Sequence, residues 1–138
     1  MEKISRNQEN FIIMTVIYDE IADFTMGEKK AFRDANEIIK EMTDIPLNEH
    51  SAYVQNSIAS VLNNYGEIVS IFQPHLKNWK WERLPLLTQA VLLMSYAHFH
   101  YVEKVDKRIV IDIAVELAKK YIEEKQAKFI NAILDEVL

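Results

Sequence analysis

The chain has 138 residues, 49% of them hydrophobic, with two Gly and three Pro. Such a chain can build a sizeable core, which excludes intrinsic disorder, and it has too little turn punctuation for an all-β sandwich or barrel. The absence of cysteine excludes disulfides, a thiolate zinc site and a thiol nucleophile and fits a reducing cytosol, while a net charge of −5 leaves nucleic-acid binding to a local patch.

The first segment, "MEKISRNQENFIIM", carries Glu2 and Glu9 beside its basic residues and a short apolar run, so it does not read as a signal peptide. Ser5 with Gln8 predicts a capping box, followed by an apolar stripe of Phe11, Met14, Ile17, Tyr18 and Ile21, and the helix should stop near Met26-Gly27. A second helix is expected from about Glu28 to Met42, with Phe32, Ala35, Ile38, Ile39 and Met42 inward and an end before Ile45-Pro46. A third is expected from near Asn48, bending or breaking at Gly66 and finishing at Pro74. "HLKNWKWERLP" reads as a turn-rich join, with Pro85 suited to the first turn of the next helix.

That next helix lies within Leu84 to Val102, which carries no formal charge. Pro85, Thr88, Gln89, Ser95, His98 and His100 make it costly in a bilayer, so it reads as a buried core helix. Asp106 can cap the following helix, whose polar groups Asp112, Glu116, Lys119 and Glu123 form one narrow strip. Both helices are therefore expected at the centre, with amphipathic ones around them and a last helix from about Lys125. The organisation is all-α, about seven helices in one unit, with halves of about 1–74 and 75–138.

Little in the chain suggests catalysis or a metal. His98 and His100 are two apart and point to opposite sides of a helix, and His50 and His75 lie in other segments. Asp19, Glu20 and Asp23 lack the Glu-x-x-His motif of a helical di-iron site, and no glycine-rich phosphate loop or triad is visible. No enzyme activity, cofactor or metal is expected.

The order of the C-terminal pieces carries a resemblance. "WKWERL", "AVLLMSYAHF", "KRIVIDIAVELAKKY" and "KFINAILDEVL" follow one another as in the NusB family of bacterial transcription antitermination factors. "AVELAK" (Ala114 to Lys119) is identical to the family's pattern, and Phe129, Asn131, Leu134 and Asp135 match at the same spacing. "SRNQENFIIMTVIYDEI" aligns without gaps to the family's N-terminal segment. The resemblance implies a fold of two small helical subdomains packed together. It also implies an adaptor that pairs with the small-subunit ribosomal protein NusE and binds boxA-type RNA, acting indirectly on elongating RNA polymerase, notably on ribosomal RNA operons. The location it implies is cytoplasmic, without a membrane contact. The same fold forms a module of some RNA cytosine methyltransferases, but no such activity is expected of this chain.

For RNA, the resemblance singles out Lys3, Arg6, Asn7, Asn10, Tyr18, Lys125, Lys128 and Phe129. Lysines and arginine would hold phosphates while the aromatic rings stack unpaired bases. Of three family arginine positions one survives as Arg6, with Asn7 and Asn10 in the others, so fewer counterions would be released. For the protein partner it points to Glu82, Thr88 and Gln89, the last two standing where the family has D-R. Leu93, His98, Asp112-Ile113 and Ala132 depart from family polar or glycine positions in the same way. Trp79 and Trp81 are two apart, so one should pack inward and the other lie at a rim, a place to look for self-association into a homodimer.

Overall fold

A computed structural model describes residues 3–27 and 31–138. Among them are seven α-helices and no strand: α1 Arg6–Met26, α2 Ala35–Thr43, α3 Ala52–Asn63, α4 Tyr65–Phe72, α5 Leu86–Ala97, α6 Lys107–Tyr121 and α7 Glu124–Val137. No helix among the described residues is long and apolar enough to cross a membrane.

The start of α1 is set locally. The Gln8 amide donates to Ser5 Oγ (3.2 Å) and the Ser5 amide to Gln8 Oε1 (2.8 Å), which closes the predicted capping box. At the other end the Gly27 amide meets the Asp23 carbonyl at 2.7 Å. A Cβ at Gly27 would lie 2.5 Å from that carbonyl oxygen, so the approach needs a glycine.

The second helix is shorter than the pattern suggests. Its expected start falls in residues 28–30, outside the described residues, and 31–34 are not helical. Asp34 caps α2 by accepting from the Asn36 amide at 3.0 Å, which fixes the first turn there. Phe32, expected on the inner face of that helix, precedes it and stacks on Phe24 with centroids 4.7 Å apart. The third predicted helix is two. It breaks at Asn64 rather than Gly66, because the Asn64 side-chain amide donates to the Ser60 carbonyl (2.8 Å) and its backbone is at φ −124°, ψ 19°. Gly66 sits inside α4 facing open space.

α5 is the centre. Every residue from Thr88 to Ala97 is buried, and the helix packs against α1, α3, α4, α6 and α7. It ends in a wide π-type turn over His98–Val102, closed by the Glu103 amide on the His98 carbonyl at 3.1 Å. α6 departs from expectation. Asp106 caps it as predicted, accepting from the Arg108 amide at 2.8 Å. Only Val110, Ile111, Ala114, Leu117 and Ala118 are buried, however, and Ile109 is 51% exposed. With α5 holding the interior, α6 lies outside it against α7, so one face suffices. The tryptophans divide as expected, Trp81 at 1% exposure and Trp79 at 61%, but Trp79 lies outside any helix, so the turn before it and not helical spacing separates them.

One charged residue of α1 lies wholly inside. Glu20 is fully buried, and neither carboxylate oxygen has a hydrogen-bond partner among the described residues. Burial pushes its pKa up to about 7, with Arg33 pulling it down and Asp23, Asp34 and Asp19 adding to the rise. A carboxyl whose folded pKa lies above its ordinary 4.5 binds a proton more tightly folded than unfolded. Its contribution is therefore full below pH 4.5 and lost as pH rises through about 7. Glu20→Gln removes that titration. Urea midpoints of the two proteins between pH 4.5 and 7.5 should diverge in favour of the variant, by on the order of 1–3 kcal/mol at the top of the range. Subtracting the curves isolates Glu20 from buried His98, whose lowered pKa gives the opposite slope. Parallel curves would refute the assignment.

Candidate nucleic-acid interface

At the start of α1 the one retained arginine is engaged within the chain. Arg6 Nη1 donates to Glu103 Oε1 at 2.7 Å, its Nε lies 3.5 Å from Glu9 Oε1, and its guanidinium carbon sits 3.7 Å from the Tyr53 ring centroid. His98 Nε2 meets the same Glu103 oxygen at 3.0 Å. The hydrogen bond from Arg6 holds Glu103 below the usual carboxylate range, and burial lowers the His98 pKa. At neutral pH His98 is therefore a neutral donor to a charged carboxylate. Lys3 and Arg6 line a cavity of about 640 Å³, but Glu9, Glu49 and Glu103 line it too, so the wall is acidic on balance. A phosphate approaching Arg6 has to compete with Glu103.

Asn7 and Asn10 do not face that cavity. Asn10 is buried and accepts from the Tyr53 hydroxyl, while exposed Asn7 shares with it a small cleft of about 80 Å³ beside Lys120 and Tyr121. Tyr18 is half-buried against the core. At the start of α7, Lys125 and Lys128 are exposed and Phe129 is half-buried. Lys125 and Phe129 line a mostly apolar groove of about 380 Å³ with Trp79, Arg83, Leu84 and Pro85. Apart from Tyr18, the predicted RNA residues are thus spread over three surfaces, the first and last of opposite charge character.

The partner set also divides. Glu82 is exposed in the short 3₁₀ turn Trp81–Arg83. Thr88 and Gln89, expected on a partner-facing surface, are instead buried, at 0% and 3% exposure. Thr88 donates to Gln126 Oε1 at 2.9 Å, and Gln89 Nε2 donates to the Leu84 carbonyl at 2.9 Å and the Trp81 carbonyl at 3.2 Å. Both fasten α5 to its neighbours, so neither side chain is available to a partner in this conformation. Sequence reasoning missed Lys80 and Arg83, and it read the rim tryptophan only as a place for self-association. The signal was present in "KNWKWER", with Lys77, Lys80 and Arg83 against one acid, Glu82. Glu103 gave no signal, since its tie to Arg6 spans 97 positions. Thr88→Val should lower stability by about 1 kcal/mol through the bond lost to Gln126, read as a urea midpoint. Glu82→Lys, on the surface, should leave the midpoint nearly unchanged. The reverse pattern would place Thr88 at the surface after all.

The comparisons with known proteins agree over nearly the whole chain. The sequence model of the NusB family matches residues 11–138. The transcription antitermination protein NusB of Clostridium botulinum is 30% identical over 128 residues, 92% of this chain and 91% of that protein. In three dimensions the fold is shared with T. maritima NusB at a TM-score of 0.81 and 20% identity, over 99% of this chain and 92% of the other. It is shared as well with a chain from the complex of antitermination factors NusB and NusE with double-stranded RNA. There the TM-score is 0.72 at 20% identity, over 97% of both chains. A single core through α1 to α7, the same order of C-terminal motifs and these matches lead to one assignment: the chain belongs to the NusB family.

Proposed function

We propose that this protein is a transcription antitermination factor that binds boxA-type single-stranded RNA together with ribosomal protein NusE, notably in complexes elongating ribosomal RNA operons. It works in the cytoplasm by bridging, not by chemistry. The observation that carries the RNA half is at the start of α7. Lys125 and Lys128, exposed and with no ion-pair partner among the described residues, share the start of α7 with half-buried Phe129, whose groove Lys125 also lines, in a chain of the NusB family.

The distribution of charge argues for a shared site. Arg6 is held by Glu103 and Glu9, so at the outset it has few donors to offer a phosphate. Each phosphate contact to a single strand adds about 0.7 to the salt slope of binding, and a chain with few free cations has a shallow slope on its own. A second protein that adds cations along the same strand steepens the slope and tightens binding together.

The test is binding of labelled boxA-type RNA, with and without purified NusE, at two salt concentrations. The expected result is tight, salt-sensitive binding that appears with NusE and is weak without it. Capture of NusE with no gain in RNA affinity would overturn the RNA half and leave a protein-interaction module. Binding to neither would remove the function while leaving the family and the fold in place.

A further inference from the structure

The segment between α4 and α5 displays a tryptophan that the core does not use. Asn78 takes a left-handed backbone at φ 66°, a conformation asparagine tolerates, and turns the chain so that the following side chain is thrown outward. Gln73 holds the turn from both sides. Its Nε2 donates to the Trp79 carbonyl at 2.8 Å, and its Oε1 accepts from the Trp81 amide at 3.0 Å. Trp81 is thereby fixed in the core against Phe72, and Trp79 is fixed outside it at 61% exposure. The exposed indole is held out by its own backbone, at the cost of leaving a large apolar face in water.

The surroundings of that indole are basic. Trp79 and Arg83 line two adjoining grooves, one of about 300 Å³ with Asn78 and Lys80, the other of about 380 Å³ with Lys125 and Phe129. Lys77, Lys80, Arg83 and Lys125 have no ion-pair partner among the described residues, whereas both arginines of the N-terminal half, Arg6 and Arg33, are paired with carboxylates. Glu82 is the only acid between positions 76 and 102. A flat, rigid aromatic ridge between two grooves, with cations on both sides, matches a single-stranded polyanion carrying planar bases. The larger groove lies within the roughly 300–1,000 Å³ of small-ligand clefts, room enough for a base beside the ring.

We infer that Trp79 is a base-stacking platform for single-stranded RNA, with Lys80 holding the backbone in one groove, Lys125 in the other and Arg83 where the two adjoin. The inference rests on the RNA-binding reading above and deepens it, since it assigns the stacking residue and the path of the strand. Cations on both flanks favour RNA over an apolar peptide or a second copy of this equally basic face.

Tryptophan emission tests it in the intact protein, because one indole is exposed and the other is in the core. Titration with oligouridylate should quench the solvent-exposed emission saturably, and Trp79→Phe should abolish the quench while keeping most of the affinity. Trp79→Ala should weaken RNA binding about tenfold, the usual loss of one stacked base. Arg83→Gln should lower the salt slope by about 0.7. Inorganic polyphosphate, which has charge but no bases, should leave the emission unchanged. The platform is overturned if Trp79→Ala binds RNA as wild type does, or if polyglutamate quenches as well as RNA. A shift of emission with protein concentration alone, with dimers seen by light scattering, would also overturn it by making the face a self-contact. In Trp79→Ala, NusE-dependent boxA binding at wild-type strength removes the platform and leaves the adaptor reading standing. Failure of wild-type protein to bind RNA with NusE present removes both.

Discussion

A helix buried on every side has to find partners for all its polar groups inside the protein, and α5 meets that demand throughout. Thr88 reaches Gln126 of α7, Gln89 spans two carbonyls of the preceding turn, and Ser95 bonds back to the Val91 carbonyl of its own helix at 2.7 Å. Because each of these groups is costly to leave unmade, the neighbours of α5 are constrained in position as well as in polarity. The other helices take their places from it. α1 and α3 lie on it, α4 and α7 meet it, and α6 packs against it from outside while pairing most extensively with α7. The wide turn that ends α5 carries the constraint to the surface, since it delivers His98 and Glu103 to Arg6 at the head of α1.

This arrangement separates two kinds of positive charge. Arg6 and Arg33 are spent on carboxylates of their own chain, Arg33 on Asp23, Glu37 and Glu41, and so tie helix ends together. Among the described residues, the cations of the 77–83 segment and of the first turn of α7 are not. A chain with a net charge of −5 can therefore still present a local basic surface, and it does so around an indole and a phenyl ring. Net charge was a sound guide to the absence of a global field and a poor one to local binding.

Much of the fold was legible because its signals are local. The Ser5–Gln8 box, the Gly27 stop, the Asp106 cap and the division of Trp79 from Trp81 each depend on residues within a few positions of one another. The break at Asn64 was misplaced to Gly66 because glycine is the stronger statistical breaker, whereas the deciding event is a side-chain amide taking over a backbone carbonyl. α6 was misread for a different reason. Its residues are apolar enough for the interior, but only one place there exists and α5 has it. The site was less legible than the fold. Thr88 and Gln89 sit at positions that a family pattern marks as polar, and no periodicity tells a polar residue facing a partner from one facing the core. Nor does sequence show that Arg6 has a carboxylate waiting 97 positions away.

The same topology bears on how the chain is made. α1 is synthesised before the other six helices described, and Ile13, Ile17 and Ile21 on it are fully buried in the folded protein, where α1 packs against α5, α3 and α2. Those residues leave the ribosome well before α5 does, and at about 5–20 residues per second the interval is several seconds or more. α2 and α3 arrive in between and cover part of that stripe, but the central helix that completes the cover comes later. Newly made protein therefore passes through a stage in which α1 exposes isoleucines to water until its partners follow, and that stripe is then open to non-native association.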